Sequence, residues 1–266
     1  MRIRIGARVF GVAAILFGVF TLAWHDFNGW QQILPVGNVP HREILAAIVA
    51  VIEILGGLAI QWPRTARAGA IALGSVYGTF ALLWLPRIAA EPLVYDRWGN
   101  LFEQLSQVAG ALILFATVVG GDAEKAANPA RIGYLLFAVC VVSFMLQQFV
   151  YLSATATFVP KWIPPGQNFW AIATTIAFAL AALALFSGRQ ALLASRLLTS
   201  MVIAFGLLVW LPAPFADPHK QMNWFGNAEN LSIAGAAWIV ADLLGERGAV
   251  RRPLRGVTAA AAAHGD

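Results

Sequence analysis

Residues 84–116 read WLPRIAAEPLVYDRWGNLFEQLSQVAGALILFA, and residues 210–242 read WLPAPFADPHKQMNWFGNAENLSIAGAAWIVAD. Trp84-Leu85-Pro86 returns as Trp210-Leu211-Pro212, Glu91-Pro92 as Asp217-Pro218, and Trp98 as Trp224. The helix start Glu103-x-Leu105-Ser106 returns as Glu229-x-Leu231-Ser232, and every pair is 126 positions apart without a gap. Residues as infrequent as Trp and Pro do not fall into one register by chance, so the stretch reads as the end of a unit present twice. Each unit carries four apolar segments. An even number leaves two tandem copies oriented alike in a membrane. The expected fold is therefore all-α and polytopic, with eight transmembrane helices as two tandem four-helix bundles. The bundles are placed at residues 1–122 and 129–246, with a disordered cytoplasmic tail over 247–266.

The composition agrees. Of 266 residues, 59% are hydrophobic and only 12% charged, too little polar surface to cover a soluble domain of this size. The apolar residues come in blocks near 7–24, 43–61, 69–88, 101–120, 131–151, 168–187, 191–211 and 228–244. At 1.5 Å per residue such blocks match a hydrocarbon layer of about 30 Å. The net charge of +5 does not indicate nucleic acid, because the basic residues are distributed by side. Thirteen of the 18 lie on the side that holds both termini, among them Arg2, Arg4, Arg8, Arg64, Arg67, Arg189 and the cluster Arg251-Arg252-Pro253-Leu254-Arg255. Only Arg42, Arg87, Arg97, Lys161 and Lys220 fall on the other. Basic loops stay in the cytoplasm, so both termini are expected there. The apolar run up to Trp24 is longer than a signal-peptide core and lacks a small-x-small cleavage site, so it reads as a retained first helix.

The expected outer connections, about 25–42, 89–100, 152–167 and 212–227, hold Trp30, Pro35, Pro40, Trp98, Pro160, Trp162, Pro164, Pro165, Pro218 and Trp224. An interfacial aromatic belt explains the tryptophans, and a roof over an outward-facing cavity is the alternative. Cys140, the single cysteine, excludes a disulfide relay within the chain and reads as a packing residue.

Three pieces carry a family likeness: Val39-Pro40 with Glu53-Ile54-Leu55-Gly56-Gly57-Leu58 and Pro63-Arg64-Thr65-Ala66-Arg67 in the first half; Gln147-Gln148-Phe149-Val150-Tyr151 in the second; and Phe158-Val159-Pro160-Lys161-Trp162-Ile163-Pro164 with Phe169-Trp170 after it. With these the chain resembles the DoxX family of four-helix bacterial membrane proteins, over nearly its whole length except the tail. The resemblance implies a four-helix bundle per half and residence in the bacterial cytoplasmic (inner) membrane. Some relatives are linked to membrane sulfur or quinone oxidoreduction and to oxidative-stress complexes. Two positions depart from the family. Gln148 stands where a histidine is frequent, and Glu53 has no acidic counterpart in the second half, where the aligned stretch is Phe178-Ala179-Leu180.

Glu53 is the foremost candidate, because a carboxyl in mid-span faces a cavity or a partner. Beside Gly56 and Gly57 it can equally serve as a hydrogen-bonding group across a close helix contact. Glu103 and Glu229, in the first turns of their spans, read either as dipole-complementing caps or as site residues beside Trp98 and Trp224. Ser106 and Ser232 follow on the same faces. His25 and Asp26 suit a proton relay or plain interfacial solvation, and His41 and His219 lie on the same side. No spacing supports a metal, haem or flavin. His264, in the tail, carries no role. Gln147, Gln148 and Tyr151, with Trp162, either line a pocket or bond across the bundle.

Three functions fit these residues. The first is an accessory protein or subunit of a membrane redox system, with a quinone or a redox subunit as partner. The second is a quinone-linked oxidoreductase that uses Glu53, His25 and Glu103 as proton carriers. The third is a small-molecule carrier that uses the cleft between the two repeats. The first is preferred, because the chain shows no electron-carrying motif of its own. The spans also lack the broken, Gly/Pro-interrupted cores of many carriers. The partners this leaves are lipid, quinone, a redox subunit and a second copy of the chain. The topology is testable: a reporter fused after Ala123 is expected in the cytoplasm and one inserted after Asp217 outside, and the reverse pattern would contradict every loop placement.

Overall fold

The computed structural model describes residues 3–32, 39–118 and 123–262, with 123–126 and 247–262 described as backbone only. Pro35 and residues 119–122 of the link between the halves lie outside this set. The elements are α1 (Ile5–Trp24), α2 (Arg42–Ile60), α3 (Ala66–Ala90), α4 (Tyr95–Val118), α5 (Ala123–Val150), α6 (Leu152–Phe158), α7 (Gln167–Ser187), α8 (Ala191–Phe205), α9 (Ala213–Ala216) and α10 (Gln221–Ala262). A π-helical turn, Gly206–Trp210, joins α8 to α9, and no strand occurs among the described residues.

Seven segments are long and apolar enough to cross a membrane: α1, α2, α3, α4, residues 127–150 of α5, α7, and the stretch Ala191–Ala216. Their outer faces carry side chains no soluble protein would leave bare in such number, such as Leu55, Leu82, Leu183 and Leu197, each at least 60% exposed. The chain is a helical membrane protein. Helix α10, in the region of the expected eighth span, is not among the seven. Ala228, Ala234, Ala236, Ala237 and Val240 of α10 have no exposed surface, so protein rather than lipid sets its composition, and it tolerates Glu229, Asn230 and Asp242. Where a disordered tail is expected, the backbone stays helical to Ala262, through an alanine run of high helix propensity.

Two expectations change with the turns. Helices α4 and α10 begin early enough to take in Trp98 and Trp224, which the sequence alone puts in loops. The span 191–216 is interrupted after all. Just before its π-helical turn the Val202 carbonyl, which already accepts from the Gly206 N–H, takes a second bond from the Asn230 carboxamide of α10 at 3.0 Å.

Consecutive long helices pack side by side, and the contacts continue across the midpoint of the chain: α4 lies on α5, α1 lies on α10, and α4 also meets α10. The first half therefore encloses its interior only with the help of α10. Close approach of backbones makes this packing tight. A Cβ on Gly11 would sit 2.7 Å from the Gly57 carbonyl oxygen, and one on Gly69 would sit 2.6 Å from that of Gly56. These contacts pin α2 between α1 and α3 and fix the depth at which Glu53 faces inward. Gly57→Val is expected to destabilise the protein by about 1–3 kcal/mol through overpacking, read as a lower thermal midpoint in detergent. Gly78→Ala, where the nearest atom would be 3.9 Å away, is expected to leave or raise it.

Candidate functional site

Helix α1 stops at His25, which adopts the left-handed conformation (φ 55°) and turns the chain back into the bundle. Phe27, Asn28, Trp30 and Gln31 are then buried, with Gln31 losing all exposed surface. The Asn28 side-chain oxygen accepts from the backbone N–H of Trp30 at 2.8 Å and of Gln31 at 2.9 Å, a local turn that satisfies buried donors. The inserted segment is fastened at three points. The Trp84 indole donates to the Trp30 carbonyl at 2.9 Å, Arg87 donates to the Gln32 side chain at 2.8 Å, and Arg42 pairs with Asp26. At its deepest point the Gln31 carboxamide donates to Glu53 Oε1 at 2.6 Å.

Around Glu53 lies a cluster of polar side chains drawn from α2, α3, α4 and α10. Tyr77, Gln104 and Gln107 are fully buried, and Glu229 is 3% exposed. Gln107 donates from α4 to Glu229 Oε1 of α10 at 2.8 Å, a bond that joins the two halves. Glu53, Glu229 and Tyr77 lie within electrostatic reach of one another, and Glu103 within reach of Glu229. Phe10 and Phe17 wall the cluster on the α1 side, with ring centroids 6.0 and 6.5 Å from that of Tyr77.

Much of this cluster is left without partners. Glu53 Oε2, Glu103 Oε2, Glu229 Oε2, the Tyr77 hydroxyl, both polar atoms of Gln104 and Gln107 Oε1 are all buried without a hydrogen bond. Buried polar groups in proteins are normally satisfied, and each orphan costs about 1–3 kcal/mol. The seven atoms belong to side chains of α2, α3, α4 and α10, the helices that also supply Glu53, Tyr77, Gln107 and Glu229. No ion pair among the described residues includes Glu53, Glu103 or Glu229. Three carboxyls without a base can take protons, accept hydrogen bonds or hold a cation.

Of the candidates read from the sequence, Glu53, Glu103 and Glu229 come together here. Ser106 and Ser232 do not bridge helices; each hydroxyl donates to the carbonyl of Glu103 or Glu229 on its own helix, at 2.7 and 2.8 Å. Trp98 and Trp224 act elsewhere. Their indoles donate to the carbonyls of Pro92 (3.1 Å) and Pro218 (2.9 Å), closing the turn before each helix. Trp170 does the same to Pro164 at 3.0 Å. His25, His41 and His219 are exposed, the first two in left-handed backbone at helix ends. Among the described residues, no three His, Cys, Asp or Glu side chains are placed to hold a metal ion. Gln148 accepts from Thr174 (3.0 Å) and Thr175 (3.2 Å) of α7, and the Tyr151 hydroxyl accepts from the Asp96 N–H at 3.1 Å. Gln147 packs against Gly99. Gln148 and Tyr151 thus bond across the bundle, to α7 and α4. Trp162 is 74% exposed, and Cys140 is buried. Trp30, expected in the interfacial belt, packs inward against Trp210 at 6.2 Å between centroids.

Sequence reasoning missed Gln31, Tyr77, Gln104 and Gln107. A faint signal existed: Gln104 and Gln107 are one turn apart inside an apolar span and share a helix face. The positions 126 residues on from Glu53 and Tyr77 are Ala179 and Ile203, so the second half lacks this cluster. The link between halves is testable in isolation. Gln107→Leu strands Glu229 Oε1 and is expected to cost about 1–3 kcal/mol in thermal unfolding, whereas adding Glu229→Leu recovers most of that loss because both partners are then apolar. Compared with known proteins, the chain matches no family model, no curated protein and no solved structure.

Proposed function

We propose that this chain is an eight-span protein of DoxX type, built from two like-oriented halves, that binds a small hydrogen-bonding molecule in the polar core and serves as a carrier for it. The observation that carries this reading is the set of orphaned buried atoms, supplied by α2, α3 and α4 of the first half and by α10 of the second. A site at the junction of two repeated halves is where rocking of one half against the other alternates access. The π-helical turn at Gly206–Trp210, steadied by Asn230 next to Glu229, supplies the kind of interrupted span that carriers use beside their sites. In this reading both termini face the cytoplasm of a bacterial inner membrane, and residues 25–32 close the site from outside.

A second reading, an accessory role in a membrane redox system, draws on the aromatic wall. Phe17, Trp30, Phe225 and Trp210 pack together beside the carboxyls, a setting that suits a quinone ring with its oxygens on Glu53 or Glu103. One purification separates the two readings. Native mass spectrometry of the protein in mild detergent is expected to show a small polar molecule on the wild type that is lost in both Glu53→Gln and Glu229→Gln, with flux of that molecule into vesicles. A bound quinone or redox subunit, lost in Glu53→Gln, would favour the accessory role. A wild type with nothing bound and no flux would refute both.

A further inference from the structure

Resting on the reading of the polar core as a binding site, the chemistry of its walls selects a class of guest. Glu53 and Glu229 are built alike: each accepts the N–H of a glutamine carboxamide on Oε1, at 2.6 Å from Gln31 and 2.8 Å from Gln107, and each presents Oε2 bare. Beyond them, the Tyr77 hydroxyl and the side-chain oxygens of Gln104 and Gln107 are buried acceptors without donors. Six of the seven orphaned atoms are oxygens, and Gln104 Nε2 is the one unpaired N–H group among them. The region is short of positive charge. Arg42 and Arg87 bind the inserted segment through Asp26 and Gln32, with Arg42 Nη1 left unpaired, and neither forms an ion pair with Glu53, Glu103 or Glu229.

Three carboxyls without a base must be neutralised by protons or by a cation. An anion would add charge of the same sign. A purely apolar guest would leave every orphan oxygen stranded. Phe10 and Phe17 pack around the Tyr77 ring, so the border of the cluster is aromatic, a setting compatible with a cation. A lone metal ion fits poorly, since no three acidic or imidazole groups among the described residues converge on one point. A fan of N–H donors spans such separated acceptors.

We infer that the polar core takes a small nitrogenous cation, an ammonium or guanidinium group, and that the Gln31 carboxamide occupies its place on Glu53 in the closed protein. The two glutamines differ in how readily they give way. Gln107 belongs to the long helix α4, whereas Gln31 lies in the connection after α1, where Asn28 holds its backbone N–H and Oε1 and only its Nε2 has to leave Glu53. The incoming cation therefore displaces Gln31, keeps Glu229 with Gln107, and fills the vacant oxygens of Glu53 and Tyr77. Gln31 acts as a built-in competitor.

The test is titration of the detergent-purified full chain with methylammonium and guanidinium, followed by calorimetry, beside sodium, potassium, acetate and a short-chain quinone. Saturable binding of the nitrogenous cations is expected, weakened about tenfold or more in Glu53→Gln through loss of a charge-assisted hydrogen bond. Gln31→Ala is expected to tighten binding about tenfold, because the competitor is gone. That gain is a readout misfolding does not produce. Equal binding of sodium and potassium, or no tightening in Gln31→Ala, overturns the inference. Binding of the quinone or acetate in place of the cations also overturns it, while leaving the core as a binding site. Failure of every probe on both wild type and Gln31→Ala, with nothing co-purifying, removes the binding site itself.

Discussion

A carboxyl group taken out of water into an apolar bundle must find hydrogen-bond partners and a balance for its charge, and this requirement organises the centre of the protein. Glu53 meets half of it through the connection after α1, which folds into the bundle. The Gln31 carboxamide on Glu53 Oε1 works together with the Trp30 side chain on Glu103, the Trp84 bond to the Trp30 carbonyl, and the pairing of Arg87 and Arg42 with the segment. The other half of the requirement stays unmet, because Oε2 of Glu53 and of Glu229 has no partner. Structure and function meet at that deficit.

The backbone makes the arrangement rigid enough to matter. Gly11 against Gly57 and Gly56 against Gly69 bring α1, α2 and α3 to contact distances that exclude a side chain, so Glu53 cannot drift to the lipid face. Helix α10 closes the first half from the other side and delivers Glu229 to Gln107. In membranes there is no hydrophobic force between helices, and tight small-residue packing with interhelical hydrogen bonds takes its place. Both devices are present, and the polar one is concentrated where the two halves touch.

The apolar spans could be read from the chain, and Glu53, Glu103 and Glu229 could be singled out though not assigned a role. Runs of apolar residues placed the spanning stretches, because hydrophobic length is a property of each segment alone, but they missed the polar first turns of α4 and α10 and the helical continuation of α10 to Ala262. The rarity of acids in spans marked Glu53, Glu103 and Glu229. What stayed hidden depends on neighbours. Tyr77 and Gln104 look like ordinary polar interruptions until α3 and α4 are placed around Glu53. Trp30 looks interfacial because a tryptophan near a span end satisfies that rule whichever way its loop folds. Trp98 and Trp224 match across the repeat for a reason that is local, the indole clasp on a proline carbonyl six residues earlier, and not because they touch a ligand together.

On the proposed reading, the orphaned oxygens of Glu53, Tyr77 and Glu229 face a bound guest. The most direct measurement of that claim is a high-resolution density map of the protein in lipid nanodiscs. Density not belonging to side chains is predicted within hydrogen-bonding distance of Glu53 Oε2, the Tyr77 hydroxyl and Glu229 Oε2. A map in which those atoms bond directly to one another, with nothing between them, would contradict it.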